Sequence, residues 1–309
     1  MASPNLSEII TTTLRNRSKT LADNVTNHNA LLRRLRENGN ISTVTGRQIV
    51  RELEYASNGT VGFYSGYETL DVSPSDVLTS ATFDYKQLAG NVTISGLEQI
   101  QNSGTEAVIN LLESRIGVLE KTMMNTLSTS LYSDGTGSSG KEIGGLQLLV
   151  ADAGTGTVGG INSSTFTFFQ NAQITATSSA FSTTNVQDDM NNIYLSLVRG
   201  ADSPDLIMAD ANAYKAFLGS LQAIQRVTSD TVATSGFTSV QYLNSDVIFD
   251  DACPTNKMYF LNTDYLRLEV AANRNFVPGE AKMSVNQDAM VTPMFFSGNL
   301  TVCLLYTSP

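Results

Sequence analysis

The sequence predicts an α+β fold, and three observations support this class. A long amphipathic helix follows an extended segment in which apolar and polar residues alternate. Further helices and strands come after it without the regular strand–helix–strand rhythm of a parallel sheet. The chain has 309 residues, of which 41% are hydrophobic, so it can bury a core without disulfides or metals.

The extended segment runs from about residue 67 to residue 97 and contains two aromatic residues of the same parity, Phe83 and Tyr85. The alternation then shifts by one residue, so that Val92 and Ile94 have the opposite parity. A period-2 pattern that changes phase is typical of a strand with a β-bulge. A two-stranded arm projecting into solvent is marginally stable alone. We therefore expect a second copy of the chain to cover Phe83 and Tyr85.

The long helix is predicted to begin after Ser103, because Ser103 and Glu106 have the spacing of a capping box. Apolar residues then recur every three or four positions, which gives one stripe along a helix of about 29 residues, roughly 44 Å long. The stripe consists of Val108, Leu112, Ile116, Leu119, Met123, Leu127 and Leu131. Gly117 lies near the middle, where Gly weakens a helix by about 1 kcal/mol relative to Ala. It is either a hinge or a position that allows close packing against a strand.

Several further elements are predicted from caps, turns and periodicity. Two helices open the chain, one capped by Ser7 and one over residues 29–37 with Leu31, Leu32 and Leu35 facing inward. Later elements are a helix with a capping box at 184–187, a buried strand at 206–208, a helix capped by Asp210, strands at 247–249 and 258–261, and strands over 264–306 with turns near 273–278 and 297–299.

Three runs of residues carry a resemblance to a known family through their order and spacing. They are FDYKQLAGNVTISG at 83–96, NSGTEA at 102–107 and LYSDGTG at 131–137, with weaker matches at 141–146, 158–161, 203–208, 258–262 and 298–302. These runs resemble the major capsid (coat) proteins of tailed double-stranded DNA bacteriophages, which have the Hong Kong 97-type fold. The resemblance covers nearly the whole chain.

The resemblance implies a division of the chain into the family's domains. Residues 1–60 form an N-terminal arm, 61–102 an extended β E-loop, and 103–145 the spine helix and following turn of the P-domain. A mixed α/β A-domain covers 146–263, long strands of the P-domain cover 264–290, and a closing strand of the A-domain covers 291–309.

The resemblance also implies a function. The chain is expected to be a structural protein, not an enzyme, that self-assembles into homo-hexamers and homo-pentamers of an icosahedral head enclosing the DNA genome. It is expected in the virion, after assembly in the host cytoplasm. Expected partners are a separate scaffolding protein, a portal, a decoration protein and packaged DNA, the last contacted weakly and non-specifically. Within the same fold, the alternative is an encapsulin-like bacterial nanocompartment shell.

The charge is unevenly distributed along the chain. The formal net charge is −10, but residues 1–54 carry eight Lys/Arg against five Asp/Glu, a net of +3, which leaves −13 for the remainder. An acidic chain is not typical of a general nucleic-acid binder. The cluster Arg33, Arg34 and Arg36 is either a contact to an acidic neighbour or to packaged DNA, or a solvated helix face. With Phe83, Tyr85 and Lys86, these arginines are the predicted inter-subunit contacts.

One segment resembles a nucleotide-binding loop, but its context argues against that function. Residues 135–142 match G-x-G-x-x-G, and also G-x-x-x-x-G-K up to the Lys. Glu142 stands where a phosphate loop needs Ser or Thr, and the segment follows a helix where a strand is required. We interpret it as a helix-terminating loop, which disfavours the alternative of a nucleotide-binding enzyme.

No catalytic, metal-binding or cofactor-binding residue is predicted. His28 is the only histidine, and the acidic pairs 188–189 and 250–251 lack the spacing of a calcium loop. Cys253 and Cys303 are expected to be reduced thiols. The N-terminus has no signal peptide, which disfavours a secreted Ser/Thr-rich adhesin.

Covalent crosslinking is not expected either. Some relatives crosslink an arm lysine to an asparagine of a neighbouring subunit, promoted by a buried glutamate. Lys86 is the only lysine of the arm, and it lies in a predicted strand, away from the arm's tip around Pro74.

Overall fold

The structure is a computed structural model that describes residues 30–101, 105–176, 180–200, 202–221 and 240–303. The predicted first helix, His28 and the proposed capping residue Ser103 lie outside these ranges. In chain order the helices and strands are α1 (Ala30–Glu37), β1 (Ile41–Val44), β2 (Ile49–Glu54), β3 (Leu78–Phe83), β4 (Lys86–Ser95), α2 (Gly96–Gln101), α3 (Thr105–Ser130), α4 (Leu146–Leu149), β5 (Thr157–Val158), β6 (Ile161–Asn162), α5 (Val186–Leu197), β7 (Leu206–Ala209), α6 (Ala211–Leu221), β8 (Val240–Tyr242), β9 (Ser245–Phe249), β10 (Met258–Leu261), β11 (Leu266–Ala271), β12 (Val277–Pro278), β13 (Lys282–Met283) and β14 (Ala289–Val302).

The central sheet is organised around β14, which has strands on both sides. On one side it pairs with β4 over ten residue pairs, from Ala289–Ser95 to Gly298–Lys86. On the other side it pairs in turn with β13, β12 and β11, and β1 adds to β11 in parallel. β14 is therefore an inner strand of this sheet, and it joins β4 to the strands on its other side.

The turn predicted near residues 297–299 is wrong, because β14 continues through it. Gly298 pairs with Lys86 on one side and Val270 on the other. A Cβ at this position would lie 2.6 Å from the carbonyl oxygen of Glu269. The glycine therefore permits a close approach between strands and does not mark a turn. The predicted domain boundary between residues 290 and 291 also falls inside this continuous strand.

The bulge predicted between residues 83 and 94 is a change of sheet. β3 ends at Phe83 and pairs with β2, whereas β4 begins at Lys86 and pairs with β14. The side chain of Asn299 stabilises this crossing, since its Nδ2 donates to the carbonyl oxygen of Asp84 (2.9 Å). The change of parity in the sequence thus marks a chain that leaves one sheet and enters another.

The long helix α3 packs on the central sheet through the predicted stripe. Of the stripe residues whose side chains are described, Ile116, Met123, Leu127 and Leu131 are buried and Leu119 is partly buried. The helix has 26 residues. It forms, as predicted, because its apolar residues recur at helical spacing and meet an apolar face of β4, where Val92 and Ile94 are buried.

A second, four-stranded sheet has the order β10–β7–β9–β8. Helices α5 and α6 pack with it around a separate core that includes Val186, Met190, Ile193, Tyr194, Leu197 and Phe217. Asp210 caps α6 as predicted, because its Oδ1 accepts from the N–H of Ala213 (2.8 Å). The capping box predicted at residues 184–187 is wrong. Asn185 is the N-cap of α5 without a side-chain cap, and its own N–H donates to Ser182 Oγ (3.3 Å).

The predicted helix at residues 29–37 is observed as α1, and the three leucines Leu31, Leu32 and Leu35 are fully buried. Gly39 follows it with φ +70°, the left-handed conformation that ends helices. Asn38 and Asn40 then hydrogen-bond the side chain and the carbonyl of Thr263, respectively (2.5 Å each). These bonds attach the end of α1 to the 3₁₀ turn Thr263–Tyr265, which directly precedes β11.

Substituting Gly117 is expected to stabilise the unassembled subunit. A Cβ at Gly117 would meet no heavy atom within 4 Å, so the alternative that this glycine allows close packing against a strand is wrong. Gly117→Ala should raise the free energy of unfolding by about 1 kcal/mol, measured by urea denaturation. Gly298→Ala is the matched control and should lower it by about 1–3 kcal/mol through overpacking. A destabilised Gly117→Ala subunit would contradict this prediction, and the hinge interpretation stays a prediction.

The ion pair between Glu98 of α2 and Arg115 of α3 should make stability depend on pH. The two side chains are joined by bonds of 2.5 and 3.0 Å, and the Arg115 hydrogen bond lowers the pKa of Glu98 from 4.5 to about 2. Because this pKa is lowered by folding, the stabilisation is present above pH 4.5 and is lost as the pH falls towards 2. Arg115→Met should return the pKa of Glu98 towards 4.5 in an NMR titration of its side-chain carboxyl carbon. An unchanged titration would show that the pair is not formed in solution.

Candidate inter-subunit surface

The most exposed apolar surface of the described chain lies at the end of a two-stranded arm. β2 and β3 pair over six residue pairs, from Ile49–Phe83 to Glu54–Leu78. Beyond them, Tyr55 N–H donates to the carbonyl oxygen of Val77 (3.0 Å) and closes a loop over residues 56–76. We call residues 56–76 the arm loop.

Large apolar side chains of the arm loop lie in solvent. Phe63 and Tyr67 are fully exposed (110% and 108%), and Val72 and Val61 are 91% and 82% exposed. Tyr64 and Leu70 are also exposed. Apolar surface of this extent on one loop is typical of a surface that another protein covers.

Hydrogen bonds between residues of the arm loop shape it locally. Asp71 Oδ1 accepts from both the N–H and the Oγ of Ser73 (2.9 and 2.5 Å), which lowers the pKa of Asp71. Asn58 Oδ1 accepts in the same way from Thr60. Such Asx turns form a loop from short-range contacts, so the loop has a defined shape while its aromatic rings stay outside the core.

Phe83, one of the rings predicted to need a second subunit, is covered by its own chain. The ring is 6% exposed and belongs to the main hydrophobic core. It packs on the turn between β5 and β6, where a Cβ at Gly159 would lie 3.1 Å from the ring, and Thr82 N–H donates to the carbonyl oxygen of Gly159 (2.9 Å). Tyr85 is partly buried against the same core. The reason for expecting these two rings to meet another subunit therefore does not hold.

A buried ion pair attaches the arm to the central sheet. Glu269 of β11 is 2% exposed, and its carboxylate accepts from Ser42 Oγ of β1 (2.6 Å) and pairs with Arg51 of β2 (3.2 Å). Removing one partner of such a pair leaves an uncompensated buried charge, at a cost of about 3–5 kcal/mol. The pair therefore links β2 of the arm to β11 of the central sheet.

The remaining predicted contact residues are held within the chain to different degrees. Lys86 lies in β4, as predicted, and its Nζ donates to the carbonyl oxygen of Gly140 (2.6 Å). Arg33 pairs with Glu37 (2.8 Å), and Arg34 pairs with Asp246 of the second sheet. Arg36 is exposed. The structure thus places Arg33 and Arg34 in contacts of the subunit itself.

The segments that resembled chemical sites have structural roles. The loop at 135–142 follows the helix α3, whereas a phosphate loop requires a strand before it. The loop contains a left-handed turn at Ser138 and Ser139 (φ 53° and 60°). Asp250 accepts from the buried Tyr132 O–H (2.9 Å), and burial raises the pKa of this carboxyl group. Cys253 and Cys303 are free thiols, as predicted. Within the described ranges, no group of three His, Cys, Asp or Glu is placed to hold a metal ion.

Sequence reasoning missed the exposed rings of the arm loop. Phe63, Tyr64 and Tyr67 have no strand or helix period and lie among Gly59, Gly62 and Gly66. One signal was available, because residues 55–67 contain no charged side chain. Aromatic residues between glycines in an uncharged run have no place in a helix stripe or a strand face, which favours a contact outside the subunit.

No protein-family model matches the sequence, and no curated protein matches it either. Solved structures do match the fold. The capsid of cyanophage A-1(L) superposes with a TM-score of 0.62 at 16% identity, covering 87% of this chain and 88% of that one. The capsid of a native GTA particle gives 0.59 at 10% identity, with 88% and 87% covered. The holo-SrpI encapsulin complex from Synechococcus elongatus gives 0.54 at 10% identity, with 87% and 84% covered.

The chain has the Hong Kong 97-type fold, as the resemblance predicted. This fold is found both in capsids and in an encapsulin among the matched structures. Among the described residues, no helix combines the length and the hydropathy needed to cross a membrane.

Phe83 and Phe63 should respond in opposite ways to truncation. Phe83→Ala removes a buried ring and should lower the free energy of unfolding of the subunit by about 3–5 kcal/mol. Phe63→Ala removes an exposed ring and should change it by no more than about 0.5 kcal/mol. Denaturation of unassembled subunits, followed by circular dichroism, measures both. If Phe83→Ala left unfolding unchanged and only assembly failed, the ring would belong to an inter-subunit contact after all.

Proposed function

We propose that this chain is the major capsid protein of a tailed-phage head, a structural protein that assembles into hexamers and pentamers of an icosahedral shell. The observation that carries the proposal is the combination of the fold with an arm whose apolar loop is uncovered. Obligate interfaces bury about 2,000–5,000 Å² or more. An arm linked to the central sheet by Arg51 and Glu269 can lay such a surface on an adjacent subunit.

The family's domains map onto the observed elements as follows in this proposal. The E-loop consists of β2, the arm loop and β3, so it begins and ends earlier than residues 61–102. The P-domain consists of α3 and the central sheet around β14. The A-domain consists of the second sheet with α5 and α6. The second core lies between the second sheet and α5 and α6, while other residues of the same sheet, including Leu206, Met208 and Tyr259, belong to the main core.

The expected partners follow from this function. Within the proposal, a separate scaffolding protein, a portal and a decoration protein act on the assembled shell, and packaged double-stranded DNA is contacted weakly and non-specifically. The virion is the proposed location, after assembly in the host cytoplasm. The chain acts without catalysis or a cofactor.

The second candidate is an encapsulin-like nanocompartment shell, and the likeness to the SrpI encapsulin supports it. The cyanophage capsid superposes with a higher TM-score and a higher identity than the encapsulin does. The motifs at residues 83–96 and 131–137 also resemble capsid proteins. These observations favour the phage head.

Assembly of the purified full chain tests the proposal. Because the arm loop is uncovered in the subunit, sedimentation velocity should show species far larger than the 33.2 kDa chain, and electron microscopy should show rings or closed shells. A folded 33.2 kDa species at every concentration, including in the presence of a co-expressed scaffolding protein, would contradict it.

The contents of the particles separate the two candidates. Particles isolated from the native host should protect double-stranded DNA from added nuclease if the chain forms a phage head. Particles that contain an enzyme and no protected DNA would instead support the nanocompartment.

A further inference from the structure

The base of the arm loop carries a groove lined by aromatic rings. It lies where the pairing of β2 and β3 ends, beside the 3₁₀ turn Thr167–Phe169, and has a volume of about 260 Å³. The ring centroids of Tyr55 and Phe168 are 5.2 Å apart, and those of Phe166 and Phe168 are 6.1 Å apart. Leu78 and Phe166 are 65% and 51% exposed. The apolar wall of this groove, which we call the aromatic socket, is therefore open to solvent.

The same chain carries rings that suit such a socket. Phe63, Tyr64 and Tyr67, which we call the tip rings, belong to the uncharged run 55–67. Each buried aromatic ring removes roughly 150–250 Å² from water and prefers tilted or edge-on contacts with other rings. Asp76 is the charged residue at the rim of the socket. Its carboxylate would repel an acidic segment but would accept a hydrogen bond from a tyrosine hydroxyl.

The socket and the tip rings are separated within one subunit. The bond from Tyr55 to Val77 closes the arm loop at its base, and a second bond from Gly59 N–H to Ser75 Oγ (3.4 Å) joins the two sides of the loop further out. The rings of Phe63 and Tyr67 lie fully in solvent and outside the socket beside Tyr55. Two complementary surfaces at different places on one chain make a head-to-tail contact, and such contacts close into rings when the rotation permits.

We propose that the tip rings of one subunit insert into the aromatic socket of the adjacent copy. This inference rests on the proposed shell function and identifies the residues that close the capsomer ring. The occupant is a second copy of this chain because the chain itself presents both halves of an uncharged, aromatic contact. A heterologous contact of this kind also needs no symmetry axis through the arm, so the same surfaces can serve both pentamers and hexamers.

Crosslinking of mixed subunits tests the contact. One batch of full-length chain carries Tyr67→Cys, a second carries Thr79→Cys in the socket, and a short bismaleimide is added after the batches are mixed and assembled. Wild-type chain treated in the same way controls for Cys253 and Cys303. The expected result is a covalent dimer that forms only when both variants are present. The Tyr67→Cys/Thr79→Cys double variant should give a ladder of covalent multimers.

Other outcomes would overturn the inference. If the double variant crosslinks only within one chain and the mixture gives no dimer, the socket is filled by the chain's own arm loop. If shells form and neither experiment crosslinks, the contact is absent while the proposed function stands. Failure of wild-type chain to assemble, seen by sedimentation, would instead contradict the proposed function.

A second measurement compares assembly thresholds. Phe63→Ser/Tyr67→Ser should raise the concentration needed for assembly by about tenfold or more, as expected for the loss of aromatic anchors. The matched control is Val285→Ser/Leu195→Ser, which removes two exposed apolar residues outside the arm (98% and 71% exposed). Equal effects of both pairs would show that the arm tip has no special part in the contact.

Discussion

The two-sided pairing of β14 is the constraint on which the rest of the subunit depends. Because β4 lies on one side and β11 on the other, Gly298 leaves no room for a side chain, and a Cβ there would lie 2.6 Å from the carbonyl oxygen of Glu269. The long helix α3 packs on the β4 side, and β1 with the bonds from Asn38 and Asn40 extends the β11 side. Glu269, whose carbonyl oxygen faces that glycine, also links the arm to β11 through its side-chain pair with Arg51.

This arrangement combines a well-packed subunit with an apolar loop whose rings its own core does not cover. The inner end of the arm is tied by a buried ion pair, by Phe83 in the core and by the backbone bond to Gly159. The outer end exposes aromatic rings to water. Burying those rings against another copy, as the proposed shell requires, would remove apolar surface from water without disturbing the core of the subunit.

Local patterns predicted the elements whose partners are close in sequence or whose stripe is long. The stripe of α3, the leucines of α1 and the Asp210 cap of α6 were all read from spacing alone. The sequence could not show which strand pairs with which, since pairing partners such as Val92 and Thr292 are far apart in the chain. For that reason the sheet change after Phe83 was interpreted as a bulge, and Gly298 as a turn residue.

The choice of candidate contact residues depended on which aromatic rings the chain itself covers, and the sequence did not show this for Phe83. Its alternating pattern marks a face that the subunit's own core covers. The rings that stay exposed are those without any pattern. A regular spacing of apolar residues indicates a face that is buried within the subunit. It therefore gives no information about residues that contact another chain.

The backbone bond between Tyr55 and Val77 has a consequence for how such proteins diverge. It makes the arm loop a closed unit whose two ends are fixed by the subunit, whatever residues lie between them. In the proposed shell, selection on mutations in this loop would act mainly through assembly and little through folding. Exchange or resizing of the loop would then alter the contact between subunits while the rest of the fold stayed the same.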